Sequence, residues 1–163
     1  MFLCYASDKG AAFIDRSLYL PKDWVQNKER CQEAGVPESV AFATKPELAC
    51  QMLVRALDAG VPCAWVTGDE VYGGDRTLRF VLEQREQPFV LAVPKNEPLM
   101  FEGPTCRSAE FIAAQVSADS WQRLSAGEGA KGPRLYDWCL QPVWRLQLTD
   151  EFVMCGKGAS YYQ

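Results

Sequence analysis

Apolar and polar positions alternate or recur along the chain in a way that predicts most of its elements. Phe2 to Ala6 is apolar and aromatic, Ser7-Asp8-Lys9-Gly10 has turn chemistry, and Ala11 to Leu20 resumes with Phe13, Ile14, Leu18 and Tyr19 before Pro21 ends it. This pattern predicts an antiparallel hairpin. Residues 22–43 are polar, with a short helix expected around Trp24 to Ala34, stopped by Gly35 and Pro37. Thr44-Lys45-Pro46-Glu47 has the spacing of a capping box, and Leu48, Met52, Leu53, Ala56 and Leu57 follow as an apolar stripe at helical spacing. Gly60 and Pro62 stop that helix. Cys63 to Thr67 is a short apolar run without alternation, as in a strand covered on both faces. Asp75 can cap a second helix through about Glu86, and Pro88 to Val93 reads as another buried strand. Strand, helix, strand with such short connections is a βαβ unit with parallel strands. With the hairpin, it predicts an α/β sheet with antiparallel strands at one side.

After Pro94 the texture changes. Lys95 to Thr105, with Pro98, Gly103 and Pro104, is expected to be a linker or loop. Ser108 to Leu124 is weakly patterned and compatible with helix, and Ser125 to Pro133 is expected to be a flexible loop. Arg134 to Leu148 alternates, with Trp144, Leu146 and Leu148 on one face and Arg145 and Gln147 on the other. That predicts a half-buried strand, paired within itself to the Leu135–Leu140 stretch. Cys155 to Gln163 is small and polar and is expected to fray. The organisation expected is therefore a core over residues 1–94, a β-rich segment over 95–150 and a tail over 151–163.

At 163 residues the chain has the length of one ordinary domain, with 48% apolar and 23% charged residues. No apolar run reaches the roughly 18 residues a membrane span needs, and no secretory signal is expected at the N-terminus. Seventeen basic against 21 acidic residues give a net charge of −4, the wrong sign for a free-standing nucleic-acid clamp, though not for a local basic patch. There is no histidine, so imidazole bases and ligands are excluded. The seven cysteines contain no C-x-x-C pair, which argues against zinc and against a dithiol redox motif. They read as small buried thiols in a reducing cytoplasm.

Chemistry must then come from carboxylates, hydroxyls, backbone or metal. The run Trp65-Val66-Thr67-Gly68-Asp69-Glu70-Val71-Tyr72-Gly73 sets two acids at the carboxyl end of a parallel strand, where α/β sheets gather ligands. Asp69 suits a divalent cation such as Mg²⁺, with Glu70 as an auxiliary acid. The plainer alternative is that both acids cap and solvate a loop. Gly73-Gly74-Asp75 matches neither the dinucleotide fingerprint nor the P-loop, and reads as a loop into a capped helix. Lys131 and Arg134, among glycines, can touch phosphate or DNA, or can simply be an exposed turn. Trp138 and Trp144 fall on alternating strand positions and read as core rather than as base-stacking platforms.

From Tyr5 to about Leu148 the chain resembles bacterial insertion-sequence transposases of the DDE superfamily, in the family numbered 701. The stretches that carry the likeness are YASDKGAAFIDRSLYLPKDW, RCQEAGVPESVAFATKPELA, ALDAGVPCAWVTGDEVYGGDRTLR, PFVLAVPKNE and GAKGPRLYDW, with GDEVYG the most specific. The resemblance implies an RNase H-like mixed sheet flanked by helices, with a β-rich insertion. It also implies three acids holding two Mg²⁺ (or Mn²⁺) ions about 3.5–4 Å apart for phosphodiester cleavage and strand transfer. Its partners are transposon-end DNA and target DNA, its place the cytoplasm, with no membrane role.

Only Asp69 matches one of the three acids, the second, after the fourth strand. On this likeness the hairpin supplies the second and third strands, residues 63–67 the fourth and 89–93 the fifth. The first strand with its Asp is expected before Met1 and the Glu-bearing helix beyond Gln163, so the chain is expected to be a truncated copy, inactive alone. Glu70 and Glu151 are poor substitutes. Without the first strand, which lies between the second and the fourth, two sheet edges are left unpaired. The alternatives are a binding or regulatory module that associates with full-length transposase, with DNA or with itself, and a small metal- or nucleotide-binding α/β protein built around Asp69.

Overall fold

The structure, a computed structural model, describes the backbone of residues 1–103, 105–148 and 153–162, and side chains as far as residue 143. It divides into two compact units, Met1–Leu91 and Ala92–Gln163.

In the first unit, β1 (Phe2–Ser7) and β2 (Gly10–Arg16) form the expected hairpin, with a register shift after Leu3. The single helix expected around Trp24 is two, α1 (Lys22–Gln26) and α2 (Lys28–Glu33). Asn27 breaks them apart because its side-chain oxygen accepts the Arg30 amide, making it the cap of the second helix. The helix α3 (Lys45–Asp58) begins on a complete capping box, in which the Glu47 carboxylate accepts the Thr44 amide at 2.6 Å and the Thr44 hydroxyl accepts the Glu47 amide. Leu48, Met52 and Leu53 of its apolar stripe are buried. Arg55, three residues after Met52, pairs with Asp15 of β2 at 2.9 Å.

Next come β3 (Val66–Gly68), α4 (Glu70–Gly73), α5 (Arg76–Gln84) and β4 (Phe89–Leu91). The two strands pair in parallel, Val66 opposite Phe89 and Gly68 opposite Leu91. The strand starts at Val66 rather than Cys63, because the Pro88 carbonyl takes its first ladder bond at the Val66 amide. Leu53, Val66, Leu78 and Leu82 are the centre of the core, with Leu3, Leu57, Tyr72, Phe89 and Leu91 packed on it. The hairpin and the β3–β4 pair are separate two-stranded sheets among the described residues.

The second unit departs more from the sequence pattern. Within the stretch read as a loop, β5 (Pro98–Met100) pairs antiparallel with β6 (Cys106–Ser108). Ser108 caps α6 (Ala109–Gln115), its hydroxyl accepting the Phe111 amide. A 3-10 turn at Ala118–Ser120 leads into β7 (Gln122–Gly129), and β8 runs unbroken from Gly132 to Leu148. The loop expected at Ser125–Pro133 is thus the end of an antiparallel hairpin, with a two-residue turn between Gly129 and Gly132. Gly132 has φ +110°, a conformation that side chains other than hydrogen rarely take, and it permits this turn.

The Arg134–Leu148 stretch does not fold back on its own first half. It pairs with β7 over Pro133–Trp138 and with β9 (Val153–Tyr162) over Cys139–Leu148. Residues 155–162, expected to fray, are backbone-paired for the same reason: the free ladder groups of a 17-residue strand recruit a partner. Val143 and Ala109 are buried at the centre of this unit, with Val93 and Leu99 against them.

Candidate functional site

Asp69 stands one residue beyond β3, at the carboxyl end of a parallel strand, in extended conformation (φ −78°, ψ −176°). It caps α4, one carboxylate oxygen accepting the Val71 amide at 3.0 Å. A helix-capping role is therefore realised, and it fixes where the carboxylate sits. Glu70 is in the first turn of α4, and both acids are exposed. Gly68 is closely packed: a Cβ at this position would lie 3.0 Å from Leu91 Cδ2 and 3.3 Å from Tyr72 Cβ, so a side chain here would press on both neighbours of the strand end that carries Asp69.

Tyr72, three residues on, turns back under the loop. Its hydroxyl donates to Met1 Sδ at 3.4 Å, and burial together with the negative charge of Asp69 raises its pKa above the ordinary tyrosine value. Gly68 and Tyr72 belong to the GDEVYG run that the sequence singles out, but the pattern assigns a role only to its two acids. Arg79 donates to the Gly73 carbonyl at 2.8 Å, and Asp75 accepts the Leu78 amide at 2.8 Å, so the glycine loop closes into a capped helix.

A pair of Mg²⁺ ions demands several carboxylate oxygens. Among the described residues no three of Cys, Asp and Glu gather closely enough to hold a metal ion. The Asp69 carboxylate, already committed to the Val71 amide through one oxygen, does not fit a two-metal centre by itself. Glu151 lies outside the described residues.

Lys131 and Arg134 belong to the other unit. Lys131 is exposed in the two-residue turn at the end of the β7–β8 hairpin. Arg134 folds back across the hairpin, donating from Nη2 to the Ala126 carbonyl at 2.8 Å, with its stem over Gly129. Trp138 is half-buried and meets Tyr136 edge to face at 6.3 Å, with no hydrogen-bond partner for its buried Nε1. The side chains of Trp144 and Cys155 lie outside the described residues. The thiols are less buried than expected: Cys139 is enclosed, Cys31, Cys50 and Cys63 are half-buried, and Cys4 and Cys106 are exposed. Cys4 lies in β1 of the hairpin and Cys106 in β6, an edge strand of the five-stranded sheet. Burial raises the pKa of the Cys50 and Cys139 thiols, which disfavours the reactive thiolate at both.

The model of the DDE superfamily endonuclease family matches residues 1–110, which takes in the whole first unit and Asp69. The chain belongs to the DDE superfamily endonucleases. That membership implies an RNase H-like fold, action on DNA and the use of divalent metal ions. No curated protein and no solved structure matches the chain. Among the described residues, no helix of this endonuclease-family chain is long and apolar enough to cross a membrane.

Proposed function

We propose that the chain carries part of the catalytic core of an insertion-sequence transposase of the family numbered 701, with Asp69 as one of its metal-binding acids. The observation that carries this reading is the position of Asp69, at the carboxyl end of β3 in a βαβ unit inside the matched region. In this reading β1 and β2 take the second and third places of an RNase H-like sheet, and β3 and β4 the fourth and fifth. Residues 95–150 are its β-rich insertion, residues 151–163 a divergent tail, and Lys131 and Arg134 contact DNA phosphates. Transposon ends and target DNA are the substrates, and Mg²⁺ or Mn²⁺ is the cofactor of the assembled enzyme. Glu70, exposed in the first turn of α4, is an auxiliary acid in this reading.

Among the described residues no three acids gather to hold a metal ion, and in this reading the chain by itself leaves DNA uncut. The test is incubation of the purified chain with supercoiled plasmid and with a terminal-repeat duplex, in Mg²⁺ and in Mn²⁺. No nicking is expected. Nicking that disappears in Asp69→Asn would overturn the inactivity while keeping the role of Asp69. Nicking that persists in Asp69→Asn would overturn that role as well. Association with full-length transposase or with another copy is a second reading, favoured by the edges of β1 and β3 that have no strand partner among the described residues.

A further inference from the structure

Arg107 and Glu102 bring opposite charges to one cleft of the second unit without pairing there. The cleft, about 510 Å³, lies between the turn that joins β5 to β6, the strand β6, the helix α6 and β8. Arg107 lines it from β6 and Gln141 from β8, while Phe101 and Glu102 belong to the turn. Phe111 and Gln115 come from α6, where a spacing of four residues puts them on one face. The Arg107 guanidinium lies 5.4 Å from the centre of the Phe111 ring rather than on the Glu102 carboxylate. Among the described residues, the side chains of Glu102, Gln115 and Gln141 make no hydrogen bond or ion pair. Glu102 also has φ +54°, a left-handed conformation that residues with a Cβ rarely take and that recurs at ligand clamps.

An occupant of this cleft has to offer an acceptor to the guanidinium, a donor to the carboxylate and a flat apolar face to the rings. Glu102 repels an inorganic anion, and Arg107 repels a metal cation. An apolar molecule leaves both charges unmatched. A guanine base meets all three demands: O6 and N7 accept from an arginine, N1–H and the N2 amino group donate to a carboxylate, and the ring stacks on an aromatic side chain. The two glutamine amides, each both donor and acceptor, serve the remaining edge atoms. Adenine has a donor where guanine has O6, and it lacks the N2 amino group.

We propose that this cleft binds a guanine base, with Arg107 on the O6 and N7 edge, Glu102 on N1–H and the N2 amino group, and Phe111 against the ring. The choice of a nucleobase among flat ligands rests on the reading of the chain as one that acts on DNA. The base comes from an unpaired position of a DNA strand or from a free guanine nucleotide. In a base pair, cytosine engages the edge that Glu102 would take, so an intact duplex does not present it. The site involves neither Asp69 nor a metal ion.

Isothermal titration calorimetry of the full chain, in chelator and without metal, tests this with guanosine monophosphate, with the DNA pentamers TTGTT and TTATT, and with a duplex whose guanines are all paired. Saturable binding of a guanine probe is expected, with adenosine monophosphate and TTATT weaker by roughly 10-fold or more. Phe111→Ala and Arg107→Met should each weaken guanine binding by about 10-fold. Glu102→Gln should weaken it and also narrow the preference for guanine over adenine, a change that loss of structure would not produce. Phe111, Arg107 and Glu102 are exposed, and circular dichroism verifies that the variants fold.

Binding of TTGTT alone makes a DNA strand the source of the base, and binding of the mononucleotide alone makes it a free nucleotide; either keeps the site. Equal binding of guanine and adenine would overturn the proposal, as would a paired duplex that binds as tightly as TTGTT, or binding indifferent to Arg107→Met. Absence of binding by every guanine probe would overturn it too. Displacement of the probe by free leucine at equal concentration would replace the base with an amino acid, whose ammonium and carboxylate could bridge the same two charges. The titration reads no cleavage, so failure here and failure of the nuclease reading show in different measurements.

Discussion

Replacing Gly68 with alanine probes the packing that positions Asp69. The added Cβ would stand 3.0 Å from Leu91 Cδ2 and 3.3 Å from Tyr72 Cβ. Carbon atoms prefer about 3.5–4.0 Å, so the Leu91 methyl must withdraw by a few tenths of an ångström. Leu91 is half-buried and its end can turn, whereas Tyr72 Cβ is attached to the backbone of α4 and cannot. Overpacking of this kind costs about 1–3 kcal/mol. Alanine also restricts the unfolded chain, which offsets about 0.4–1 kcal/mol. The net expectation is a loss of ~0.5–2 kcal/mol. Each kcal/mol lowers the melting midpoint of a unit of this size by roughly 4–8 °C. Urea unfolding followed by circular dichroism measures it, in the wild-type background and in Leu91→Ala. With the leucine methyl gone, the cost of Gly68→Ala should fall by about half, a coupling of ~0.5 kcal/mol or more. A Gly68→Ala chain as stable as wild type, or an equal cost in both backgrounds, would refute the close-approach argument.

Other substitutions test the rest of the first unit. Leu82, with no exposed surface, should lose about 2–5 kcal/mol on Leu82→Ala, read as a lowered urea midpoint with an unchanged slope. Asp75→Ala removes the cap on the Leu78 amide and should cost about 1 kcal/mol, whereas Asp75→Asn should retain most of the stability. Hydrogen bonds from the Thr44 amide and hydroxyl hold the Glu47 carboxyl below its ordinary pKa. A depressed folded-state value means that the cap contributes fully at neutral pH and that its contribution is lost as pH falls through the acid range below the ordinary glutamate value. Wild type and Glu47→Gln should therefore differ in stability at pH 7 and converge at low pH. A constant difference would show that the carboxylate's charge is not what matters.

Much of the first unit was legible in the chain because its signals are local. A capping box is four residues, Asp75 reaches its amide three residues on, and the Leu48–Leu53 stripe needs only the helical period. Asn27 was missed although its signal was equally local. An asparagine between two polar turns can cap as readily as it can continue a helix, and only the competition between the two settles which occurs. Asp69 was legible as a residue at a strand end, yet the closeness of Gly68 to Leu91 and of Tyr72 to Met1 depends on positions far apart in the chain.

By itself, then, the sequence determined the helix starts, the turns and the βαβ order, since these arise from hydrogen bonds and steric limits a few residues apart. The tertiary structure decided what β8 pairs with, that the 125–133 glycines form a hairpin end rather than a loop, and that Glu102 and Arg107 line one cleft. Strand pairing draws its energy from backbone groups that every residue carries, so side-chain identity selects a partner only weakly until packing has brought the edges together.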